Sequence, residues 1–314
     1  MRARAILVAW VLAAQTIAPS LACLVFLLAR PARACSVCGC DPAALTVGLD
    51  RPSSGSLRVG LEDRYLVKES GEGPAFEGER ENRLALRAQF APARSFAAQI
   101  ELPFFLWRDH RGAGGLVDDT AHGPGDAQVT ARYELLRSGG FVPRHVVALA
   151  VALKVPTGAN DRLGGDDPHL QLGSGSWDPS IGLWYTYGDH PWTWYAGSVV
   201  RVNGEGGHGF HYGNAVFGTA GVRRAFFDER LLISLEAQAR YAGYDTARAP
   251  DPAVRAADPN SGGFLGYATS GAAVTLGTDL LVRVQIQVPV AARLHGVQSE
   301  HPAGFAGLSW DFAL

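Results

Sequence analysis

Three cysteines, Cys35, Cys38 and Cys40, fall within the six residues CSVCGC. A C-x-x-C-x-C spacing offers soft thiolates suited to Cu(I) or Zn(II), with a fourth ligand to come from elsewhere in the chain. A single disulfide among the three would leave one thiol over, which invites a partner thiol. Metal binding, redox chemistry and a plain N-terminal tail are therefore all open readings of this stretch, and no other cofactor is expected. Asp166, Asp167 and His169 form a second oxygen- and nitrogen-rich group, in a Gly-rich stretch where solvation of a loop is the simpler expectation. Hydrolytic chemistry needs a nucleophile within reach of a base. No serine motif stands out, and His110, His122, His169, His208, His211 and His301 read as loop residues, with His145 near a strand start. The chain is not expected to be an enzyme; a barrel-borne lipid hydrolase is the catalytic alternative.

The stretch that carries the thiols follows an export signal. Arg2 and Arg4 precede a long apolar segment, and Ala32-Arg33-Ala34 presents small residues where a signal peptidase needs them. Cleavage after Ala34 makes residues 1–34 a signal peptide, residues 35–54 a Cys-containing periplasmic segment and residues 55–314 the remaining body. The segment is long and Gln15, Pro19 and Ser20 interrupt its apolar part; an uncleaved helical anchor is the competing reading. Neither Cys23 nor Cys35 has the aliphatic residue three positions earlier that a lipoprotein signal requires. Formal net charge is −2 and only 18% of residues are charged, so nucleic acid is not an expected partner. No second run of about twenty apolar residues exists, which argues against a helical membrane protein.

Beyond Cys40 the hydrophobic pattern has period two. In LLVRVQIQVPV, Val282, Val284, Ile286, Val288 and Val290 oppose Arg283, Gln285 and Gln287, and Gln285 fails the helical template. Val129, Ala131, Tyr133 and Leu135 oppose Arg132 and Glu134; Ile233, Leu235 and Tyr241 oppose Glu236 and Arg240; Leu84, Leu86 and Phe90 oppose Arg83 and Arg87. In HVVALAVALKV the face opposite Val147, Leu149, Val151 and Leu153 is made of alanines and Lys154. Long polar or Gly-rich gaps near 68–79, 107–123, 157–175, 203–210, 243–262 and 293–303 alternate with short turns at 91–94, 138–143, 188–191, 227–230 and 277–279. That rhythm divides the body into about twelve strands with long loops on one side, the signature of an all-β, antiparallel, up-and-down outer-membrane barrel. Backbone amides in hydrocarbon need internal partners, which a closed barrel supplies. Its apolar face must then meet outer-membrane lipid, which places Arg87, Glu101, Arg132, Glu134, Lys154, Glu236, Arg240, Arg283 and Gln285 along the lumen. A soluble sandwich also alternates, but strands of ten or more residues suit a bilayer better.

Several details are less regular. Around 210–226 and 260–276 the alternation is blurred, and bulges are expected. Leu57, Val59 and Leu61 share a face with Asp63, so either the register breaks there or Asp63 lies near an interface. Trp192 and Trp194, with Trp184, Tyr185 and Tyr187 just before the same turn, read as an interfacial girdle. Leu308, Trp310 and Phe312 alternate in the last strand, which resembles the signal read by barrel-assembly machinery, although Ala313 and Leu314 follow the last aromatic. Pro156, Pro103 and Pro289 each precede a long gap and are expected to end a ladder or mark a bulge.

The segment KVPTGANDRLGGDDPHLQLGSGSWDPSIGLWYTYG, Lys154 to Gly188, resembles the outer-membrane proteins grouped as a MetA pathway of phenol degradation. The matching features are Lys154, Pro156, Thr157 and Gly158, then a Gly-rich loop, then Gly173, Gly175 and Asp178 leading into a strand. CSVCGC directly after a signal also resembles the start of a subset of these barrels, often called transporters. The resemblance implies a barrel that passes small, aromatic or apolar molecules. Twelve strands lie between eight, where side chains fill the interior, and sixteen, where a water channel opens. A narrow passive channel is thus the expected function, with mixed-sign lining charges that either meet solute or pair with one another. A metal- or redox-linked N-terminal segment is the alternative.

Overall fold

The computed structural model describes residues 52–73, 76–112, 119–138, 143–161, 171–248 and 255–314. Cys35, Cys38, Cys40, Asp166, Asp167 and His169 lie outside the described residues. The strands are β1 Ser56–Ser70, β2 Glu77–Ala93, β3 Phe96–Gly112, β4 Asp119–Pro124, β5 Ala127–Ser138, β6 His145–Val155, β7 Asp178–Asp189 and β8 Trp192–Arg201. They continue as β9 Ala215–Phe226, β10 Leu231–Ala242, β11 Thr246–Arg248, β12 Arg255–Ala257, β13 Gly263–Leu276, β14 Leu280–Leu294, β15 Gln298–Glu300 and β16 Ala303–Ala313. Each neighbouring pair is antiparallel, and β1 pairs with both β2 and β16, so the sheet closes on itself. β4 extends the line of β5 against β3, and β15 extends the line of β16 against β1. The result is a barrel of twelve staves, with β11 and β12 forming a separate small hairpin above it.

Closure gives the two faces opposite fates. Leu61, Leu86, Ile100, Val129, Val151, Ile181, Ile233, Val284 and Leu308 are exposed on the outside. Arg132, Glu134, Glu101, Arg240 and Gln287 are buried on the inside. This arrangement has one physical reading: the outer belt meets hydrocarbon, since no other solvent favours such a surface around a wall with no free edge. Burial of this kind inverts the rule for a soluble protein, in which charge faces outward. The chain is an outer-membrane barrel.

The irregular places resolve in different ways. β1 keeps an unbroken register with β2 from Ser56 to Ser70, so the strand does not shift at Asp63. Asp63 stays on the outer face, where the Asn82 amide donates to its carboxylate at 3.2 Å. A register shift occurs between Gly266 and Tyr267, as the blurred 260–276 stretch suggested. No shift occurs in β9, contrary to expectation. There the pattern is blurred because Arg224 occupies an outward position, its guanidinium 5.0 Å from the Trp192 ring and 4.6 Å from the Phe226 ring. Cation–π contact with two interfacial aromatics makes that position tolerable at the membrane boundary.

The gaps near 68–79 and 107–123 are shorter than the sequence suggests, because β1 runs to Ser70, β3 to Gly112, and β2 and β4 begin at Glu77 and Asp119. His110 and His122 accordingly lie in strands rather than loops. Pro156 directly follows β6. Pro103 and Pro289 do not end their strands; Pro103 sits where the pairing of β3 passes from β5 to β4, and Pro289 sits beside the β13–β14 shift. A residue without an N–H fits where the ladder is already interrupted. The outward file of β14 holds at Val284, Ile286 and Val290, whereas Val288 is buried.

Candidate functional site: a barrel lumen with two unlike walls

One wall of the lumen, from β14 through β16, β1, β2, β3 and β5, is a mesh of ion pairs that reaches Arg240 on β10 and Tyr267 on β13. Glu62 receives Arg87 at 2.9 Å and also pairs with Arg283. Arg87 in turn donates to Glu101 at 2.8 Å. Further along, Arg132 meets Glu134 at 3.2 Å, and Arg58 near the short-turn end meets Asp311 at 2.6 Å. Toward the long-loop end Arg108 pairs with Glu79 at 2.8 Å, while Glu300 accepts from Arg240 at 3.2 Å and from the Tyr267 hydroxyl at 2.9 Å. All nine residues expected at the lumen lie on inward positions: Arg87, Glu101, Arg132, Glu134, Lys154, Glu236, Arg240, Arg283 and Gln285. Of their partners, Glu62, Asp126 and Glu300 were not singled out from the sequence. Apart from Arg58–Asp311 at the mouth, these pairs are largely enclosed, so each charge depends on its partner to offset desolvation.

The opposite wall, β6 to β9, is the more apolar, although the buried Arg201 lies 5.6 Å from the Phe217 ring and Ser180 and Thr219 also face inward. Trp184, Val199, Phe217, Tyr212 and Ala215 form one buried cluster with Ala148 and Ala150. Trp184 is 2% exposed, so it belongs to the lumen and not to the girdle expected from its neighbourhood. Tyr185, Trp192 and Trp194 do face outward. Small residues make room for the indole: its register partners are Ala148 on β6 and Gly197 on β8. A Cβ on Gly197 would stand 2.2 Å from Trp184 Cε3. The alternation of small and large residues across neighbouring strands is how a narrow barrel fills its interior. The Trp184 Nε1 and Thr219 Oγ1 atoms on this wall are buried without a hydrogen-bond partner among the described residues.

The two walls meet at a knot built from the family-like segment. Lys154, at the end of β6, pairs with Asp178 at the start of β7, lies 3.4 Å from Asp126 and donates to Ser174 Oγ at 2.5 Å. Asp126 accepts from the Gly158 N–H at 3.0 Å and from the Ser174 N–H at 2.8 Å. Thr157 donates to the Gly125 carbonyl at 3.0 Å, and Asp178 accepts from the Gly204 N–H at 2.9 Å. Gly158 and Gly173 pack backbone to backbone, and a Cβ on Gly158 would meet Gly173 Cα at 2.7 Å. Gly175 has φ +70°, a region that L side chains rarely adopt. Lys154, Pro156, Thr157, Gly158, Gly173, Gly175 and Asp178 therefore converge on one place. The knot folds residues 171–176 into the barrel, where Leu172 packs on Phe105 and Ala121 and the Gln171 carbonyl accepts from Arg108 at 2.5 Å. The lumen is narrowed at its long-loop end.

Nearer the short turns, a cavity of about 50 Å³ is lined by Arg58, Glu62, Arg87, Gln89, Gln99 and Arg283. A second, of about 40 Å³, shares Arg283 and reaches Arg223, Ser234 and Gln285. Among the described residues no group of three or more His, Cys, Asp or Glu side chains could hold a metal ion. Glu236 accepts from the Gln238 amide at 2.8 Å.

Comparison with known proteins agrees with this architecture. The crystal structure of the COG4313 outer membrane channel from Pseudomonas putida F1 superposes with a TM-score of 0.66 at 14% identity, covering 87% of this chain and all of that one (100%). The translocator domain of the autotransporter NalP from Neisseria meningitidis gives a TM-score of 0.46 at 13% identity, covering 86% of this chain and 92% of that one. A deletion mutant of the TodX monoaromatic hydrocarbon channel gives 0.47 at 11% identity, covering 91% and 97%. The first of these shares the fold; the other two are too distant to add to it. No curated protein matches the chain. The sequence profile described as "Putative MetA-pathway of phenol degradation" matches residues 58–296, and with that match spanning most of the barrel, the chain belongs to this family.

Proposed function

We propose that the barrel is a passive channel for small, neutral, apolar or aromatic solutes. The observation that carries this reading is the inward-facing cluster of Trp184, Val199 and Phe217, buried side chains that make this side of the interior the more apolar one. Lumen side chains in a purely aqueous pore are polar. An apolar inner surface instead favours solutes that lose little on leaving water. The paired charges of the other wall present little net field, so a strongly ion-selective pore is not expected. The family description and the channel description of the Pseudomonas putida F1 protein point the same way.

The test has two arms. Purified protein is placed in planar bilayers, and intact porin-deficient cells expressing it are offered a neutral aromatic solute and a sugar of similar size. Small conductance steps and faster uptake of the aromatic are expected. No conductance, together with uptake equal to that of cells lacking the protein, overturns the reading.

A further inference from the structure

We infer that Arg224, on the lipid-facing side of β9, forms with Trp192 and Phe226 a binding site for the phosphodiester of a phospholipid at the short-turn rim. The first observation is that the protein supplies this cation with no anion. The lumen arginines Arg87, Arg108, Arg132, Arg240 and Arg283 each meet a carboxylate. Among the described residues Arg224 meets rings alone, its guanidinium 5.0 Å from the Trp192 ring and 4.6 Å from the Phe226 ring. Its Nε is buried with no hydrogen-bond partner among those residues. Acidic residues next to it in sequence lie in the turn after β9, where Glu229 faces His190 at 3.6 Å.

Strand register extends the point to the whole neighbourhood. Trp192 on β8 and Ile233 on β10 stand directly opposite Arg224. Val222 and Phe226 flank it on the same face of β9, and their register partners there include Trp194 and Leu231. The guanidinium is thus surrounded on the outer face by aromatic and aliphatic side chains. Such surroundings strip water from a cation, which is costly unless an anion joins it. Cation–π attraction offsets part of that cost.

The second observation is height. Arg224 lies two residues before the end of β9, roughly 7 Å along the strand. Short turns of an outer-membrane barrel face the periplasm, so this level is that of the phospholipid headgroups of the inner leaflet. Trp192 and Trp194, with ring centroids 6.4 Å apart, mark the same boundary. A guanidinium presents a planar fork of donors that fits two phosphate oxygens. A phospholipid meets both demands of the site at once. Its phosphate supplies the missing anion, and its acyl chains lie along Val222, Leu231 and Ile233.

Native mass spectrometry of the intact, delipidated barrel tests this without any transport measurement. Phosphatidylglycerol and a diacylglycerol with the same chains are added in turn. The parent is expected to retain phosphatidylglycerol several-fold more than the diacylglycerol. Arg224→Gln is expected to lower that retention several-fold. Arg80→Gln, which removes an exposed outward cation near the long-loop rim, is expected to leave it unchanged. Equal retention of the two lipids by the parent overturns the proposal, as does an Arg224→Gln barrel that holds phosphatidylglycerol as the parent does. An equal loss in both variants also overturns it, since the lipid would then follow net charge alone. A phosphatidylglycerol with a photoreactive group beside its phosphate gives a readout that needs no variant to fold. Crosslinks on the parent are expected in the peptides that hold residues 192–194 and 222–226, and crosslinks confined to other peptides overturn the assignment.

Discussion

The two walls of the lumen solve one problem by different means. Between β14 and β5, inward space is filled by long charged side chains that hold each other across neighbouring strands, as Glu62 holds both Arg87 and Arg283. Between β6 and β9 it is filled by bulky rings lying over Ala148, Gly197 and their neighbours. The first solution depends on partners: removing one member leaves a buried charge exposed to low dielectric. The second depends on shape, where a volume change of one methyl group is felt. A barrel built this way has one side of its interior held by charge pairing and one side held by the fit of packed rings. The comparison makes distinct demands on mutants of each wall.

The largest effect is expected where the walls join. Lys154→Met removes the only cation described around Asp178 and Asp126, leaving two buried carboxylates facing each other. A loss of about 3–5 kcal/mol is expected, read as a lower urea midpoint for unfolding from lipid vesicles. Residues 171–176 should become protease-sensitive as well, because Ser174 and Asp126 lose their common partner. A variant as stable as the parent would mean that the knot does not organise the wall junction.

On the apolar wall the sharper probe is addition rather than removal. Gly197→Ala sets a Cβ 2.2 Å from Trp184 Cε3, and neither the ring nor the strand can yield without cost. Overpacking of about 1–3 kcal/mol is expected. Pairing it with Trp184→Leu should recover most of the loss, since the smaller side chain clears the space. A double-mutant cycle gives the coupling directly. Additive effects would show that the indole does not lie over Gly197.

Much of this division was legible in the sequence, and the gaps are instructive. Period-two alternation placed every expected lumen residue on its correct face, because parity along a strand does not depend on knowing its neighbours. Trp184 was misread because it stands beside the true girdle residues. Its parity with Ser180 and Gly182, opposite to Ile181, Leu183 and Tyr185, was the available signal. The blurred pattern of β9 came from Arg224 at the interface, where an outward arginine is permitted. Ion-pair partners were not legible at all. Glu62 and Arg283 are 221 residues apart, and strand registers that unite them arise only when the sheet closes. The knot was visible as a motif but not as a geometry, since Gly158 and Gly173 reveal their purpose only when their backbones touch.

A smaller effect separates exposed from enclosed ion pairs on the charged wall itself. Arg58 and Asp311 are 19% and 31% exposed at the short-turn mouth, so solvent screens them. Arg58→Gln should cost about 1 kcal/mol or less, well below Lys154→Met. An equal loss at the two sites would show that the mouth is as dry as the interior, and the contrast between enclosed and open parts of the wall would vanish.

The smallest effect lies outside the membrane, and pH reads it. Glu205 lies between β8 and β9 and pairs with Arg248 of β11 and, at 2.8 Å, with Arg255 of β12. Partial desolvation opposes its ionisation, but hydrogen bonds from Arg255 and the charge and hydrogen bond of Arg248 outweigh it. The carboxyl is thereby held below the usual carboxylate value. A carboxyl whose folded value lies below its unfolded one contributes stability above the unfolded value and loses it as pH falls through the folded one. The loop contact should therefore be indifferent to pH near neutrality and weaken only in acid. Proteolysis of the β11–β12 hairpin in intact cells, compared across pH, measures it. Glu205→Gln should cleave at neutral pH as the parent does in acid, with the barrel's own unfolding unchanged. If the substitution also destabilises the barrel, the outer hairpin is mechanically joined to the walls, and the lumen cannot be treated as two faces independent of the loops above them.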